Sequence, residues 1–135
     1  MNNMPKANCL SILLVLILLP AWASAEFTKD SLKTIRSNVA KKKAVLVDVR
    51  TQEEWDNGHL KASIFLPITE LEDENVSNES IAKKVPEKKI LYTFCVVGMR
   101  AEAAGEILDE MGYEVRVLKH GYKELVKAGF EKAED

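Results

Sequence analysis

Cysteine, histidine and an excess of charge of either sign are scarce in this sequence. Its 135 residues include two Cys and two His, and 19 Lys and Arg stand against 21 Asp and Glu, for a formal net charge of −2. Two cysteines cannot build a disulfide-rich scaffold, and two histidines leave little material for a metal site. The balanced charge lacks the basic footprint of a nucleic-acid-binding protein. The mixture of charges with apolar runs argues against a disordered chain, and the length suits one domain.

The first residues have the layout of a secretory signal. Lys6 is followed by an apolar core, Leu10 to Leu19, and then by the small-x-small sequence Ala23-Ser24-Ala25. Spanning a bilayer as a helix takes about 20 apolar residues, so this core is short for a membrane anchor. An uncleaved anchor is the alternative, because the uncharged stretch extends beyond the core on both sides. We predict a cleaved signal at 1–25, a domain at 26–135 and no membrane attachment after cleavage.

Cleavage after residue 25 leaves a single thiol in the mature chain. The signal would remove Cys9 and Lys6, and the remaining 110 residues would hold 18 basic and 21 acidic side chains. Unpaired thiols are readily oxidised in an oxidising compartment, so the presence of the lone Cys95 needs an explanation. It is either a buried, inert residue that packs like a small hydrophobe, or a reactive thiol.

The apolar pattern predicts an α/β domain in which strands alternate with helices. Nearly continuous apolar runs indicate buried strands, and helical periodicity with caps indicates helices. Thr51 and Glu54 have the spacing of a capping box, Trp55 is expected in the core, and 69–80 is expected to be a surface connection. The order predicts an open, mostly parallel sheet with helices on both faces. The predicted strands are 44–49, 63–66, 90–94 and 113–118, and the predicted helices are 28–38, 51–57, 80–85, 101–111 and 122–128.

The loop between the third predicted strand and the clearest helix carries the candidate chemistry. Cys95 follows that strand, at the edge where open α/β sheets bind ligands. Gly98 permits a positive φ, a tight turn would aim successive N–H groups inward, and Arg100 adds a forked positive charge. These features favour a thiolate, so we predict that Cys95 is a catalytic nucleophile able to carry a persulfide. The predicted anion-binding residues are Val96, Val97, Gly98, Met99 and Arg100.

Five motifs in order resemble those of the rhodanese-type sulfurtransferases. Cys95-Val-Val-Gly98-Met-Arg100 resembles the family's Cys-x-x-Gly-x-Arg active-site loop. The likeness covers nearly the whole mature chain, and it is closest to small, single-domain periplasmic thiosulfate sulfurtransferases of bacteria. The other motifs are Val47-Asp48-Val49-Arg50, Glu54-Trp55 with Gly58-His59-Leu60, Leu66-Pro67, and Gly121-Tyr122 with Ala128-Gly129-Phe130.

The resemblance implies a rhodanese-like domain in the periplasm that transfers sulfane sulfur through a Cys95 persulfide. Thiosulfate would load the sulfur, and cyanide or a thiol, including a thiol on a periplasmic protein, would accept it. We predict no cofactor and a monomer. A persulfide carrier without turnover and a module that only binds an anion for a protein partner are the alternatives. Cysteine phosphatases use a loop one residue longer, Cys-x5-Arg, and need a general acid that is not evident here.

Three residues are candidates for the rim of the Cys95 pocket. Asp48 and Arg50 either tune its charge or form a structural ion pair, and the second interpretation is favoured. His120 stands where the family has the first Gly of a Gly-Gly pair, and it would narrow or polarise the pocket mouth. His59 is expected to be a structural hydrogen bonder. Cys95 and the two histidines do not have metal-ligand spacing, so no metal is predicted.

Overall fold

A four-stranded parallel sheet organises the part of the chain that the structure describes. The computed structural model of the protein describes residues 25–134, so every residue of the predicted signal except Ala25 lies outside the described residues. The strand order is β2-β1-β3-β4, which confirms the predicted parallel sheet. The strands are β1 Ala44–Asp48, β2 Ser63–Phe65, β3 Ile90–Phe94 and β4 Val115–Val117.

Helices cover both faces of this sheet, as predicted. Successive side chains of a strand point to opposite faces, and the core accordingly forms two clusters. Leu46 and Tyr92 pack with residues of α1 and α6, whereas Val47 and Leu91 pack with residues of α3, α4 and α5. The helices are α1 Leu32–Ala40, α2 Gln52–Asp56, α3 Ile68–Leu71, α4 Asn78–Ala82, α5 Met99–Glu110 and α6 Tyr122–Lys127. Among residues 25–134 no helix is long and apolar enough to cross a membrane.

Caps explain where the helices depart from the predicted bounds. The side chain of Ser31 accepts the Thr34 N–H and delays the start of α1. Ser77 and Ser80 form a capping box that starts α4 earlier than expected. The prediction that residues 69–80 form a surface connection was wrong for the first residues of that range. Helix α3 forms there because two of its side chains, Ile68 and Leu71, are buried on the sheet.

A further segment, unanticipated from the sequence, extends the sheet beyond β4. We call residues 25–31 the N-terminal segment. Phe27 forms a parallel bridge with Val117, and the Thr28 N–H donates to the Val117 carbonyl at 2.8 Å. The Tyr92 hydroxyl donates to the Asp30 carboxylate at 2.6 Å. The segment is therefore attached to the sheet at two points.

Candidate active site

The loop that begins at Cys95 lies at the reversal point of the sheet. The chain passes from β1 to β2 on one side and reaches β3 on the other side of β1. Asp48 pairs with Phe94, so β1 and β3 end at the same level. Ligands of open α/β sheets bind at such a point, outside the carboxyl ends of the strands. The predicted location of Cys95, directly after β3, is therefore the observed one.

Cys95 is buried, and its sulfur accepts one backbone hydrogen bond. The residue is 1% exposed and belongs to the core cluster on the α5 face. The Gly98 N–H donates to Sγ at 3.1 Å, and within the described residues it is the only backbone N–H of the predicted loop that makes this bond. An N–H aimed at the sulfur is the kind of donor that the sequence predicted for this loop, whereas burial is also what an inert packed cysteine would show.

Gly98 has the left-handed backbone that the tight turn requires. Its φ is 98° and its ψ is −22°, and it is the N-cap of α5. Any L-residue would be strained there. A Cβ at this position would also lie 2.8 Å from Cε1 of the Phe27 ring. The side of Gly98 that faces the N-terminal segment is thus closed by an aromatic ring.

The opposite end of the loop is held by the start of α6. The Tyr122 N–H donates to the Cys95 carbonyl at 3.2 Å. A Cβ on Gly121 would lie 2.2 Å from the Val96 carbonyl oxygen. Such a contact is impossible for any side chain, because the obstacle is backbone. Gly121 therefore permits the close approach of α6 to the loop.

Arg100 forms a bidentate ion pair with Glu54. Its two terminal nitrogens donate to the two carboxylate oxygens at 2.7 and 3.0 Å. Glu54 also completes the predicted capping box of α2, accepting the Thr51 N–H at 2.9 Å. The hydrogen bonds from Arg100 lower the pKa of Glu54 to about 2, against partial desolvation, which raises it. Glu54 in turn raises the pKa of Arg100, and Cys95 contributes in the same direction.

This pairing changes the role expected for Arg100. The sequence predicted that Arg100 adds a fixed positive charge to the loop, and in the structure the guanidinium shares that charge with the Glu54 carboxylate. Glu54 was expected only to cap its helix. Residues 54 and 100 are distant in the chain, and no local pattern signals a contact that the sheet topology creates.

Asp48 and Arg50 form the structural ion pair that was the favoured interpretation. Asp48 is fully buried and Arg50 is 4% exposed, and Arg50 Nη2 lies 2.8 Å from Asp48 Oδ2. Arg50 also donates to the Gly58 carbonyl at 2.9 Å and stacks 4.4 Å from the centroid of the Tyr122 ring. Asp48 is therefore not at a pocket rim, whereas Arg50 lines the cavity beside the loop.

That cavity has a volume of about 500 Å³. Positive and negative groups both face it, and an aromatic ring and one loop side chain supply apolar surface. The lining residues are Arg50, Glu54, Asn57, Val96, Gly121, Tyr122, Lys123 and Glu124.

The two histidines lie outside this cavity. His120, expected at its mouth, is half-buried and lines a separate cleft with Phe27 and Lys119. The residue after it, Gly121, is the one that reaches the loop. His59 has the predicted structural role, because it stacks on Trp55 at 3.8 Å and its Nδ1 lies 3.2 Å from the Trp55 carbonyl. Within residues 25–134, no three Cys, His, Asp or Glu side chains converge as metal ligands.

The expectation that Trp55 lies in the core was wrong. The side chain is half-buried, and helix α2 has no buried residue. Trp55 instead packs between His59 and Phe65, whose ring centroid is 4.9 Å away. A large apolar side chain indicates burial only where its element packs on the sheet.

Comparison with protein families relates this loop and its surroundings to known sulfurtransferases. The model of the rhodanese-like domain matches residues 31–128. The thiosulfate sulfurtransferase PspE of Escherichia coli strain K12 is 35% identical over 68 residues, which are 50% of this chain. The match spans 60% of the length of PspE, which is less than two thirds of that relative.

Solved structures show the same fold. The human single-domain sulfurtransferase TSTD1 matches with a TM-score of 0.62 and 28% identity, over 73% of this chain and 94% of that one. A rhodanese with anions from E. coli matches with a TM-score of 0.53 and 28% identity, over 68% of this chain and 99% of that one. The described residues therefore have the architecture of small sulfurtransferases.

Proposed function

Because this chain belongs to the family of rhodanese-like domains, we propose that it is a thiosulfate sulfurtransferase that works through a Cys95 persulfide. The observation that carries the proposal is the Gly98 N–H at 3.1 Å from Sγ, at the carboxyl end of β3. A preorganised N–H donor favours negative charge on sulfur at no cost in reorganisation. A thiolate, rather than a thiol, is the nucleophile that sulfur transfer requires.

In the first step, the Cys95 thiolate attacks the outer sulfur of thiosulfate. A new S–S bond forms at Cys95, the S–S bond of thiosulfate breaks, and sulfite leaves with the electron pair of the broken bond. The negative charge of Cys95 moves to the terminal sulfur of the persulfide. The step consumes no oxidant, reductant or proton.

In the second step, an acceptor removes the terminal sulfur. Cyanide attacks that sulfur, the persulfide bond breaks, and its electron pair returns to Cys95 as a thiolate while thiocyanate leaves. A thiolate acceptor, on a small molecule or a protein, reacts in the same way and leaves as a persulfide. The cavity of about 500 Å³ beside Val96 offers such an acceptor room to approach.

The burial of Cys95 makes the mechanism depend on movement of the loop. Val96, Val97 and Met99 are 48%, 72% and 75% exposed, so little side-chain packing opposes a local opening at these positions. Small alkylating reagents should therefore react with Cys95 in the folded protein. Failure of iodoacetamide to react below the unfolding transition would identify Cys95 as an inert core residue and end the proposal.

The decisive experiment measures thiocyanate formed from thiosulfate and cyanide. The wild-type protein should form it steadily, and Cys95→Ser should form none above the uncatalysed rate, because serine cannot carry the sulfur. Cys95→Ser replaces one small buried side chain with another and keeps the loop, so it is a matched control. A wild-type rate no higher than that of Cys95→Ser would contradict the proposed activity.

Intact-protein mass separates this function from the two alternatives. After exposure to thiosulfate, a catalyst shows one added sulfur atom that cyanide removes with turnover. A carrier shows the same adduct without turnover. A module that only binds anions shows no adduct, although sulfate or thiosulfate binds.

We further propose that the protein acts as a monomer in the periplasm and requires no cofactor. The support for this location is the sequence layout of residues 1–25: a lysine, a ten-residue apolar core and a small-x-small site.

A further inference from the structure

We propose that Phe27 is a positioning residue for Cys95. In this proposal its ring fixes Gly98, so that the Gly98 N–H stays aimed at the sulfur. The inference rests on the proposed role of Cys95 in sulfur transfer. It gives a function to the N-terminal segment, which lies more than sixty positions from the loop in the sequence.

The contact between the ring and Gly98 is close and specific. A Cβ built on Gly98 would lie 2.8 Å from Cε1 and 3.0 Å from Cζ of Phe27. The ring thus occupies the space that a side chain at position 98 would fill. Phe27 is nevertheless 41% exposed and belongs to neither core cluster. Its placement over the loop is therefore not explained by burial in the core.

Gly98 is the residue of the loop that most needs such support. Glycine has the widest choice of backbone conformations, and no side-chain hydrogen bond caps α5 at this residue. Rotation of the peptide between Val97 and Gly98 would turn the N–H away from Sγ. Because that N–H makes the hydrogen bond to the sulfur at 3.1 Å, a loss of order at Gly98 would weaken support for the thiolate.

Phe27 can brace the loop because its own backbone is fixed. It forms a parallel bridge with Val117, and the N–H of the next residue, Thr28, donates to the Val117 carbonyl at 2.8 Å. The position of the ring is thus set by main-chain pairing with β4. Phe27 also lies beyond the predicted cleavage site, so the brace is part of the predicted mature chain.

The test compares Phe27→Ala, Phe27→Leu and the control Lys29→Ala. Two quantities are measured: the pH midpoint of Cys95 alkylation by iodoacetamide, and the kcat and KM of persulfide formation with thiosulfate. We expect Phe27→Ala to raise the midpoint and lower kcat about tenfold with little change in KM, because the donor to a charged group is no longer held. Phe27→Leu should restore kcat to within about twofold of wild type, since an apolar group again covers Gly98.

Lys29→Ala should behave as wild type, because Lys29 is exposed, its side chain makes no hydrogen bond within the described residues, and the change keeps both the ring and the main-chain bond from Thr28 to Val117. The pH midpoint of alkylation is preferred to the absolute rate. A looser loop also exposes the sulfur, and that exposure alone would raise the rate. An unchanged midpoint in Phe27→Ala would overturn the proposal, even if thermal melting showed that the variant is less stable. Alkylation requires no sulfur transfer, so the midpoint tests the brace even if wild-type protein forms no persulfide.

Discussion

At the scale of single residues, Glu54 joins two parts of the site. It caps α2 through Thr51 and holds both terminal nitrogens of Arg100. The carboxylate thereby neutralises the only arginine of the Cys95 loop and fixes the first turn of α5. For thiosulfate, the proposed doubly negative donor, the two effects are opposed. Neutralising Arg100 weakens the attraction of the anion to the loop, whereas fixing the first turn of α5 keeps the loop ordered.

Replacing Glu54 should separate substrate attraction from loop order. In Glu54→Gln, Arg100 keeps its charge without a carboxylate partner, so KM for thiosulfate should fall. The loop loses its bidentate anchor, so kcat should fall as well, each by about two- to fivefold, because partly exposed ion pairs contribute modestly. Steady-state kinetics measures KM and kcat. The control is Glu53→Gln, which removes the same charge from an exposed neighbouring residue. A rise in KM would contradict this account.

The same variant has a defined pH dependence of stability. The pKa of Glu54 falls from 4.5 to about 2 on folding, so its stabilising contribution is complete above pH 4.5 and is lost as the pH falls toward 2. The difference in unfolding free energy between wild type and Glu54→Gln should be constant from pH 7 to 5 and shrink below that. Urea unfolding at several pH values measures it, and a difference that grows on acidification would refute the assignment.

At the scale of elements, a partly buried hydrogen-bond network attaches the N-terminal segment to the sheet. The Tyr92 hydroxyl, on a fully buried side chain of β3, donates to Asp30 and accepts from Asn38 at 2.8 Å. Arg116 of β4 donates to the same Asp30 oxygen at 2.8 Å. The hydrogen bond from Tyr92 is the main cause of the lowered pKa of Asp30, and Arg116 adds to it. These bonds hold the segment that carries Phe27.

Tyr92→Phe should loosen this attachment. It removes the hydroxyl and leaves Asn38 and Asp30 with one partner fewer, at a cost of about 1–2 kcal/mol in unfolding free energy. Because the pKa of Asp30 is lowered in the folded state, the loss should be full at neutral pH and shrink as the pH falls below 3.8. Urea unfolding measures it. In the control, Tyr113→Phe, the removed hydroxyl makes no hydrogen bond within the described residues, and a loss as large there would argue against the network.

At the scale of the whole molecule, the predicted cleavage of the N-terminal signal would determine which residues make up the mature chain. We expect cleavage after Ala25 in a bacterium, with a periplasmic product that begins at Glu26 and retains Phe27. Mass spectrometry of the periplasmic fraction measures this. Ala25→Leu should block cleavage, whereas Ser24→Leu, at the unconstrained middle position, should be processed normally. Full-length wild-type protein in the membrane fraction would instead support the anchor interpretation.

Local patterns in the sequence were sufficient for the four strands, for five of the six helices of the described residues and for the position of Cys95. The strand at Ile90–Phe94 has the predicted bounds, because a buried parallel strand requires a continuous apolar run. The capping box of Thr51 and Glu54 depends on residues three apart. Gly98 has the predicted left-handed conformation, since a tight strand-to-helix turn demands it. Each of these features depends on neighbours along the chain.

Only the tertiary structure decided what surrounds the sulfur. It determined that Cys95 is buried, that Glu54 holds Arg100, and that the ring of Phe27 covers Gly98. It also placed His120 in the cleft with Phe27 and Lys119, not in the cavity that Val96 lines. The physical reason is that strand order and helix packing bring together residues that are far apart in the chain. Composition and spacing report which side chains are present, and three-dimensional packing selects the partners that they meet.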